Sequence, residues 1–258
     1  MKVKSKAFFI TIFSFVALSG LYFIIIGTKN GAENFKAKGD TTKISSKTTC
    51  KNYDYSTPVQ ESKQASSDYF DDAVFFGDSL TYGMIGNFFV DDENIIACKG
   101  ASIKAMTGKV TLSGKEDKGV VNAIGKVVEQ NPKKIYIMLG INGLAWMTTQ
   151  QVIDDYGELI DKMKLANPNA KIYIQSIFPV SEYKNQSDNR YDNVKIDKIN
   201  NALLNLACKK EVYYLDTNSL LKDEAGNLSN RFTNIYDGIH INKDAYNLWY
   251  DYLCNHTV

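Results

Sequence analysis

Short apolar runs alternate with amphipathic stretches from about residue 70 to the end of the chain. Five runs rich in β-branched and aromatic residues predict strands at 73–76, 95–98, 134–139, 171–178 and 212–215. These runs show little strict alternation of apolar and polar residues, which is typical of strands covered on both faces. The pattern therefore predicts a buried parallel sheet.

Between and after these strands, apolar residues recur with the spacing of a helix. The four stripes are Val120, Ile124, Val127 and Val128; Val152, Tyr156, Leu159, Ile160 and Met163; Ile196, Ile199, Leu203 and Leu206; and Ala245, Leu248, Trp249 and Tyr252. Strands separated by helices imply right-handed parallel crossovers. We therefore expect an α/β fold, a three-layer α/β/α sandwich with a five-stranded parallel sheet.

The start of the chain has a different pattern. Three lysines precede an uncharged apolar run at 7–26, which is long enough to cross a bilayer as a helix. A cleaved signal peptide is the alternative, although its apolar region is usually shorter and followed by a small-x-small cleavage site. We expect an anchor or signal peptide over residues 1–27, with the lysines in the cytoplasm and the remainder outside.

Residues 28–68 are rich in Lys, Thr, Ser and Gly and nearly free of aliphatic side chains. Such a composition cannot bury enough apolar surface to fold by itself. We expect a flexible extracellular stalk over 28–68, followed by one folded domain over 69–258.

Charge and cysteine usage exclude two classes of site. The net charge is +1, and the part after residue 68 has more acidic than basic residues. It lacks the basic surface that binds a phosphate backbone, so nucleic acid is not an expected partner. Cys50, Cys98, Cys208 and Cys254 are too far apart in sequence to suggest a zinc site. They could form one or two disulfides; alternatively, the last three could be small buried side chains and Cys50 a linker thiol.

Glycines and polar residues follow three of the predicted strands, at the ends where α/β sheets bind ligands. The first strand leads into Gly77-Asp78-Ser79, the second into Gly100, and the third into Gly140-Ile141-Asn142-Gly143. Ser79 could be no more than a helix cap. As a nucleophile it would need a base, and an oxyanion would need donors, which the N–H groups of Ser79 and Gly100 and the Asn142 amide could supply.

Two histidines are candidates for that base. His256 is third from the end of this sequence, where chains are often mobile, and is the weaker candidate. His240 follows Asp237 by three residues, close enough in a tight turn for the carboxylate to orient the ring. Alternatively, Asp237 and Asn242 only cap the last helix and His240 is a loop residue.

Taken together, these segments resemble a known family. Gly77-Asp78-Ser79-Leu80, Gly100, Gly140-Ile141-Asn142 and Asp237-Gly238-Ile239-His240 look like the four sequence blocks of the GDSL, or SGNH, hydrolases in their usual order, over about residues 70–256. The resemblance implies a flavodoxin-like sandwich with neither metal nor organic cofactor. It implies Ser79 as nucleophile, His240 as base, Asp237 as the acid that orients it, and Ser79, Gly100 and Asn142 as the oxyanion hole.

One position departs from the family pattern. Many relatives have Asp where this chain has Gly143, which puts the loop geometry or substrate contacts in doubt rather than the chemistry. Segments 102–118 and 179–191 are expected to form walls of the cleft. Tyr82 and Trp146 could stack on a sugar or could be ordinary packing at the sheet edge.

The expected reaction is hydrolysis of short-chain acyl esters, with acetylated carbohydrate favoured as substrate. A carbohydrate O-acetyltransferase with the same triad and a non-catalytic carbohydrate-binding module remain as alternatives. Against the first, the chain has a single predicted span and no multi-span part to deliver acyl groups. Against the second, the set of candidate residues is intact. The sequence does not indicate an oligomeric state.

Overall fold

The computed structural model describes residues 53–86, 90–113 and 119–258. The predicted membrane segment at 7–26, Cys50 and the stalk as far as residue 52 lie outside these ranges. Within them, no helix combines the length and the apolar character needed to cross a bilayer.

In the described ranges, seven strands form two sheets: β1 (Ala73–Gly77), β2 (Ile95–Ala97), β3 (Lys109–Thr111), β4 (Val120–Asn122), β5 (Lys134–Met138), β6 (Lys171–Gln175) and β7 (Tyr213–Leu215). The large sheet is parallel, in the order β2-β1-β5-β6-β7. All five predicted strands are present. The predicted fourth strand ends early, because the Asn200 side chain binds both the N–H and the C=O of Ile177 beyond β6.

The same part of the chain contains eight α-helices: α1 (Ser79–Tyr82), α2 (Ile103–Met106), α3 (Ala123–Gln130), α4 (Thr149–Ala166), α5 (Glu182–Ser187), α6 (Asn193–Lys210), α7 (Thr217–Leu221) and α8 (Lys243–Asn255). Short 3-10 helices cover Ser67–Phe70, Asp92–Asn94 and Ile141–Gly143. The four predicted helical stripes correspond to α3, α4, α6 and α8.

The antiparallel pair β3–β4 corrects one prediction. Val120 was expected on the stripe of α3 but lies in β4, with its side chain exposed. Helix α3 begins only at Ala123, because the Asn122 side chain accepts a hydrogen bond from the Gly125 N–H and caps it there.

The two faces of the large sheet carry different side chains. On one face, Phe75, Tyr136, Tyr173 and Tyr213 stack across four strands with ring centroids 4.9, 4.6 and 4.9 Å apart, close to the ~4.8 Å strand spacing. Phe70 bridges these rings to Tyr250 of α8. The opposite face carries isoleucines of β5 and β6 and is covered by α3, α4 and α6, which pack side by side. Helix α8 and helix α4 therefore lie on opposite faces.

The segment before the first 3-10 helix packs on the domain and corrects the expected boundary at residue 69. Val59 is buried, and its N–H donates to the Tyr214 carbonyl at 2.8 Å. The N–H groups of Ser62 and Ala65 donate to carbonyls of α8, and the Tyr53 ring contacts Tyr213. This polar segment could not fold alone, but it adds its few apolar groups to a core that already exists. The folded domain thus includes residues from 53 onward.

The three described cysteines form no disulfide. Cys254 is buried as expected and Cys98 is half-buried, whereas Cys208 is exposed on α6. The alternative in which all three are buried therefore does not hold for Cys208, which lies next to the buried stripe of α6 rather than on it.

Candidate active site

Ser79 is the first residue of α1 and follows the end of β1 by two residues, at the carboxyl edge of the sheet. The capping side chain is Asp78, not Ser79: Asp78 Oδ1 accepts a hydrogen bond from the Leu80 N–H at 3.0 Å. A Cβ at residue 77 would collide with Thr81 and lie 2.5 Å from the Met138 carbonyl oxygen. Glycine at 77 therefore lets the helix start against the sheet, and the Ser79 hydroxyl is left without a capping role.

His240 contacts both predicted partners. Its Nε2 lies 2.9 Å from Ser79 Oγ, and its Nδ1 lies 2.6 Å from Asp237 Oδ2. Helix α8 is capped by Asn242, which accepts from the Ala245 N–H at 3.1 Å. Because the Asp237 carboxylate faces the imidazole ring, the structure does not support the alternative in which Asp237 only caps the helix.

The turn at 237–240 holds that carboxylate in place. Asp237 Oδ1 accepts the N–H groups of Ile239 and His240, both at 2.8 Å. Gly238 has φ +69°, and a Cβ there would collide with Ser181 Oγ. Partial burial raises the pKa of Asp237, but the donors from His240 and Ile239 outweigh it and keep the pKa below its ordinary value. A carboxylate at this position can stabilise a protonated imidazole.

The other histidine lies elsewhere. His256 follows α8, its Nδ1 lies 2.7 Å from the Tyr252 carbonyl, and its ring stacks on Tyr252 at 3.7 Å. It takes no part in the cluster around Ser79.

The predicted oxyanion residues lie on the other side of Ser79. Gly100 is in the turn after β2, and Asn142 is in the 3-10 helix after β5. Within the described part of the chain, the backbone N–H groups of Ser79 and Gly100 donate no hydrogen bond. Asn142 Nδ2, in contrast, donates to Asp78 Oδ2 at 3.1 Å and to the Ala101 carbonyl at 3.2 Å. Both hydrogens of this amide are therefore engaged.

Asp78 is a site residue that the sequence reasoning missed. It is almost completely buried beside Ser79 and contacts both Leu80 and Asn142. Burial raises its pKa to about 7, although the Leu80 N–H, the charge of His240 and the Asn142 amide act in the opposite direction. The Gly-Asp-Ser motif contained this signal, but an Asp before a helix reads simply as a cap.

The predicted sugar-stacking residues differ in exposure. Tyr82 is half-buried, with the Lys99 ammonium 4.0 Å from its ring centroid. Trp146 is exposed. A Cβ at Gly143 would lie 2.6 Å from Met147 Sδ, so an Asp at this position would require the flexible Met147 side chain to move.

The two predicted wall segments are only partly described. Segment 179–191 contains α5, and its Ser181 N–H donates to the Gly238 carbonyl at 2.8 Å, beside the His240 turn. Segment 102–118 contains α2 and β3, and its last five residues lie outside the described ranges. Among the described residues, no group of His, Cys, Asp and Glu side chains has the arrangement of a metal site.

Comparison with known proteins identifies the family. The model of the GDSL-like lipase/acylhydrolase family matches residues 75–248. No curated protein sequence matches significantly.

Several solved structures share the fold. A GDSL-like lipase from Bacteroides thetaiotaomicron is 15% identical, with 74% of this chain and 88% of that chain covered and a TM-score of 0.52. An acetyl-xylooligosaccharide esterase from Geobacillus is 13% identical, with 77% of this chain and 95% of that chain covered and a TM-score of 0.51. The periplasmic domain of a Salmonella Paratyphi A lipopolysaccharide acetyltransferase is 16% identical, with 72% of this chain and 83% of that chain covered and a TM-score of 0.50. The family match confirms the resemblance seen in the four sequence blocks, and the chain belongs to the GDSL-like lipase/acylhydrolase family of serine ester hydrolases.

Proposed function

We propose that the protein is an extracytoplasmic serine esterase that removes short acyl groups, above all O-acetyl groups, from carbohydrate. The observation that carries this proposal is the relay from Ser79 Oγ through His240 to Asp237, with contacts of 2.9 and 2.6 Å. A serine hydroxyl becomes a competent nucleophile when an oriented imidazole can take its proton.

The reaction proceeds through an acyl-serine. Ser79 Oγ attacks the ester carbonyl carbon while His240 Nε2 takes the hydroxyl proton. The C–O bond to the leaving alcohol then breaks, and His240 gives that alcohol the proton. Water attacks the acyl-serine with His240 again as base, and the carboxylic acid leaves. Asp237 keeps the ring oriented and offsets its positive charge in both halves.

The negative charge that develops on the carbonyl oxygen is stabilised on the other side of Ser79. The free N–H groups of Ser79 and Gly100 supply two donors. Asn142 supplies the third when the N–H that donates to the Ala101 carbonyl donates to the oxyanion instead. This exchange is favourable because an oxyanion is a stronger acceptor than a neutral carbonyl. Its other hydrogen stays on Asp78, which keeps the amide in position.

Two considerations support acetylated carbohydrate as the substrate. Among proteins that share this fold, one is named for acetyl-xylooligosaccharides and another for transfer of acetyl to lipopolysaccharide. In addition, polar side chains such as Ser102 and Lys104 line a surface cavity together with Trp146 and suit sugar hydroxyls.

Hydrolysis of p-nitrophenyl acetate and butyrate by the full-length protein in detergent tests the chemistry, with Ser79→Ala as the matched control. The proposal expects steady turnover, faster on acetate, that Ser79→Ala loses. Equal rates for the two proteins would instead support a binding module. A burst of p-nitrophenol with slow turnover, accelerated by added oligosaccharide, would support an acetyltransferase.

We also propose that residues 7–26 anchor the domain outside the cell membrane. The support is the apolar run and the lysines before it. External protease applied to intact cells should release a soluble fragment that contains the domain. A domain that is protected from the protease would overturn this localisation.

A further inference from the structure

The most exposed aromatic side chains of the described residues share one edge of the molecule. Trp146 is 69% exposed, Tyr183 is 76% exposed and Tyr236 is 91% exposed. Trp146 lies in the connection after β5, Tyr183 in the connection after β6, and Tyr236 directly before Asp237. Single exposed apolar side chains are ordinary, but exposed aromatic side chains that accompany the catalytic connections are candidates for a binding surface.

The Trp146 side of this surface combines an aromatic face with polar groups. The backbone N–H of Trp146 donates to the Gly143 carbonyl at 3.2 Å, which ties this residue to the turn that carries Asn142. Its side chain borders a cavity of about 450 Å³ that is also lined by Ser102, Lys104, Gln151, Asp154 and Asp155. Hydroxyl, amide and charged groups of this kind hydrogen-bond to sugar hydroxyls.

On the other side, Tyr236 lies at the tip of a rigid turn. The Asn234 N–H donates to the His240 carbonyl at 2.7 Å, and the Gly238 N–H donates to the Asn234 carbonyl at 3.1 Å. Asn234 Oδ1 accepts the Tyr236 N–H at 3.0 Å. These bonds hold the turn without the Tyr236 ring, so the ring is free to bind a ligand.

Tyr183 belongs to the same side. It lies on α5, and the residue before that helix, Ser181, donates its N–H to the Gly238 carbonyl at 2.8 Å. Trp146, in contrast, follows Asn142 by four residues in the connection after β5, whereas Tyr236 directly precedes Asp237. One aromatic group therefore adjoins the residues that carry the oxyanion amide, and the other adjoins the turn that carries Asp237 and His240.

We propose that Trp146 on one side and Tyr183 with Tyr236 on the other are platforms for a glycan chain that passes across Ser79. The acylated substrate is then an oligosaccharide or polysaccharide rather than a single sugar or a lipid ester. This inference rests on the proposed esterase function and adds the size and shape of its substrate.

The chemistry of the two surfaces favours a glycan over an acyl chain. A pyranose ring presents an apolar C–H face of about the size of an aromatic ring, with its hydroxyls around the edge. An acyl chain would instead call for an enclosed apolar groove. The charged Lys104, Asp154 and Asp155 beside Trp146 are costly to bury under hydrocarbon.

A kinetic comparison on the full-length protein in detergent tests the platforms. Trp146→Ala and Tyr236→Ala should each lower the ratio of kcat/KM for O-acetylated xylo-oligosaccharides to kcat/KM for p-nitrophenyl acetate by about tenfold. The deficit should grow from a single acetylated sugar to longer oligomers. Trp146→Phe and Tyr236→Phe keep a flat ring and should retain most of the ratio. Leu165→Ala removes an equally exposed apolar side chain far along α4 and should leave it unchanged.

Fluorescence gives a readout of binding without catalysis. The chain has two tryptophans, Trp146 exposed and Trp249 buried, so an oligosaccharide that binds to Ser79→Ala should change the emission of Trp146. The change should be absent from the Ser79→Ala, Trp146→Phe double variant. An identical change in that double variant would contradict the Trp146 platform.

The outcomes separate this inference from the function on which it rests. If Ser79→Ala hydrolyses p-nitrophenyl acetate as fast as the wild type, the esterase function fails. If Ser79→Ala is inactive but the ratio is the same in Trp146→Ala and Tyr236→Ala, the platforms alone are overturned. A wild-type preference for long-chain p-nitrophenyl esters over acetylated oligosaccharides would also overturn them.

Discussion

The two sides of Ser79 differ in how complete they are before substrate binds. On the base side, His240 already contacts both Ser79 and Asp237, and backbone N–H groups fix the Asp237 carboxylate. On the oxyanion side, both hydrogens of the Asn142 amide are engaged by Asp78 and Ala101. The base side is therefore assembled in advance, whereas one oxyanion donor becomes available only by exchanging a partner.

This difference follows from chain connectivity. The base and its orienting acid come from one four-residue turn, 237–240, whose geometry is set by local hydrogen bonds. The oxyanion donors come from connections after β1, β2 and β5 and meet only when the sheet forms. Variants on the base side should have larger effects on turnover, because the base serves every proton transfer whereas the Asn142 amide is one of three oxyanion donors.

The largest effect is expected for His240→Gln. Loss of the base should lower kcat for p-nitrophenyl acetate by about 10⁵ to 10⁶, as for residues that act as one unit. His256→Gln is the matched control, since that ring contacts Tyr252 rather than Ser79, and it should keep wild-type rates. Comparable losses in the two variants would show that His240 has no special role.

Asp237→Asn should come next, with a loss in kcat of about 10⁴. The asparagine oxygen can still accept the N–H groups of Ile239 and His240, so the turn should persist while the ring loses its anionic partner. Steady-state kinetics should show the loss in kcat with little change in KM. A decrease smaller than tenfold would show that the Asp237 carboxylate does not orient or stabilise the His240 ring during turnover.

On the oxyanion side, Asn142→Ala should lower kcat by about 10² to 10³. The N–H groups of Ser79 and Gly100 remain, so the lesion is incomplete. This variant should still form the acyl-enzyme, slowly, in a stopped-flow measurement. A loss as large as that of His240→Gln would remove the proposed contrast between the two sides.

The smallest effect on turnover is expected for Asp78→Asn, which also makes a prediction about pH. The new amide can keep the cap on Leu80 but turns a donor toward the Asn142 amide, so the hydrogen bond that holds the Asn142 side chain is lost.

In the wild type, burial raises the pKa of Asp78 from 3.8 to about 7. Between these two pKa values the native state holds a proton on Asp78 that the unfolded state has released. The free energy of unfolding therefore falls as pH rises through this range.

The contribution of Asp78 to that fall is at most about 4 kcal/mol. Urea unfolding from about pH 4 to about pH 8 should therefore show a weaker decline for Asp78→Asn than for the wild type. Parallel curves would mean that Asp78 keeps an ordinary pKa in the native protein.

The sequence predicted those parts of the molecule that depend on local pattern. The five strands and four long helices follow from periodicity, and the turn at 237–240 from its Asp-x-x-His spacing. Three features depend on tertiary contacts and were missed. Val120 pairs in β4 instead of joining α3, residues 53–66 find a core to pack on, and Asp78 becomes buried only when the connection that carries Asn142 closes over it.

The most direct test of the account is the mass of the protein after reaction with a fluorophosphonate ester probe, which labels an activated serine. The account predicts one covalent adduct per chain on the peptide that contains Ser79, formed far more slowly in His240→Gln and absent from Ser79→Ala. An adduct on another residue, or equal labelling of Ser79→Ala, would contradict the claim that His240 activates the Ser79 hydroxyl.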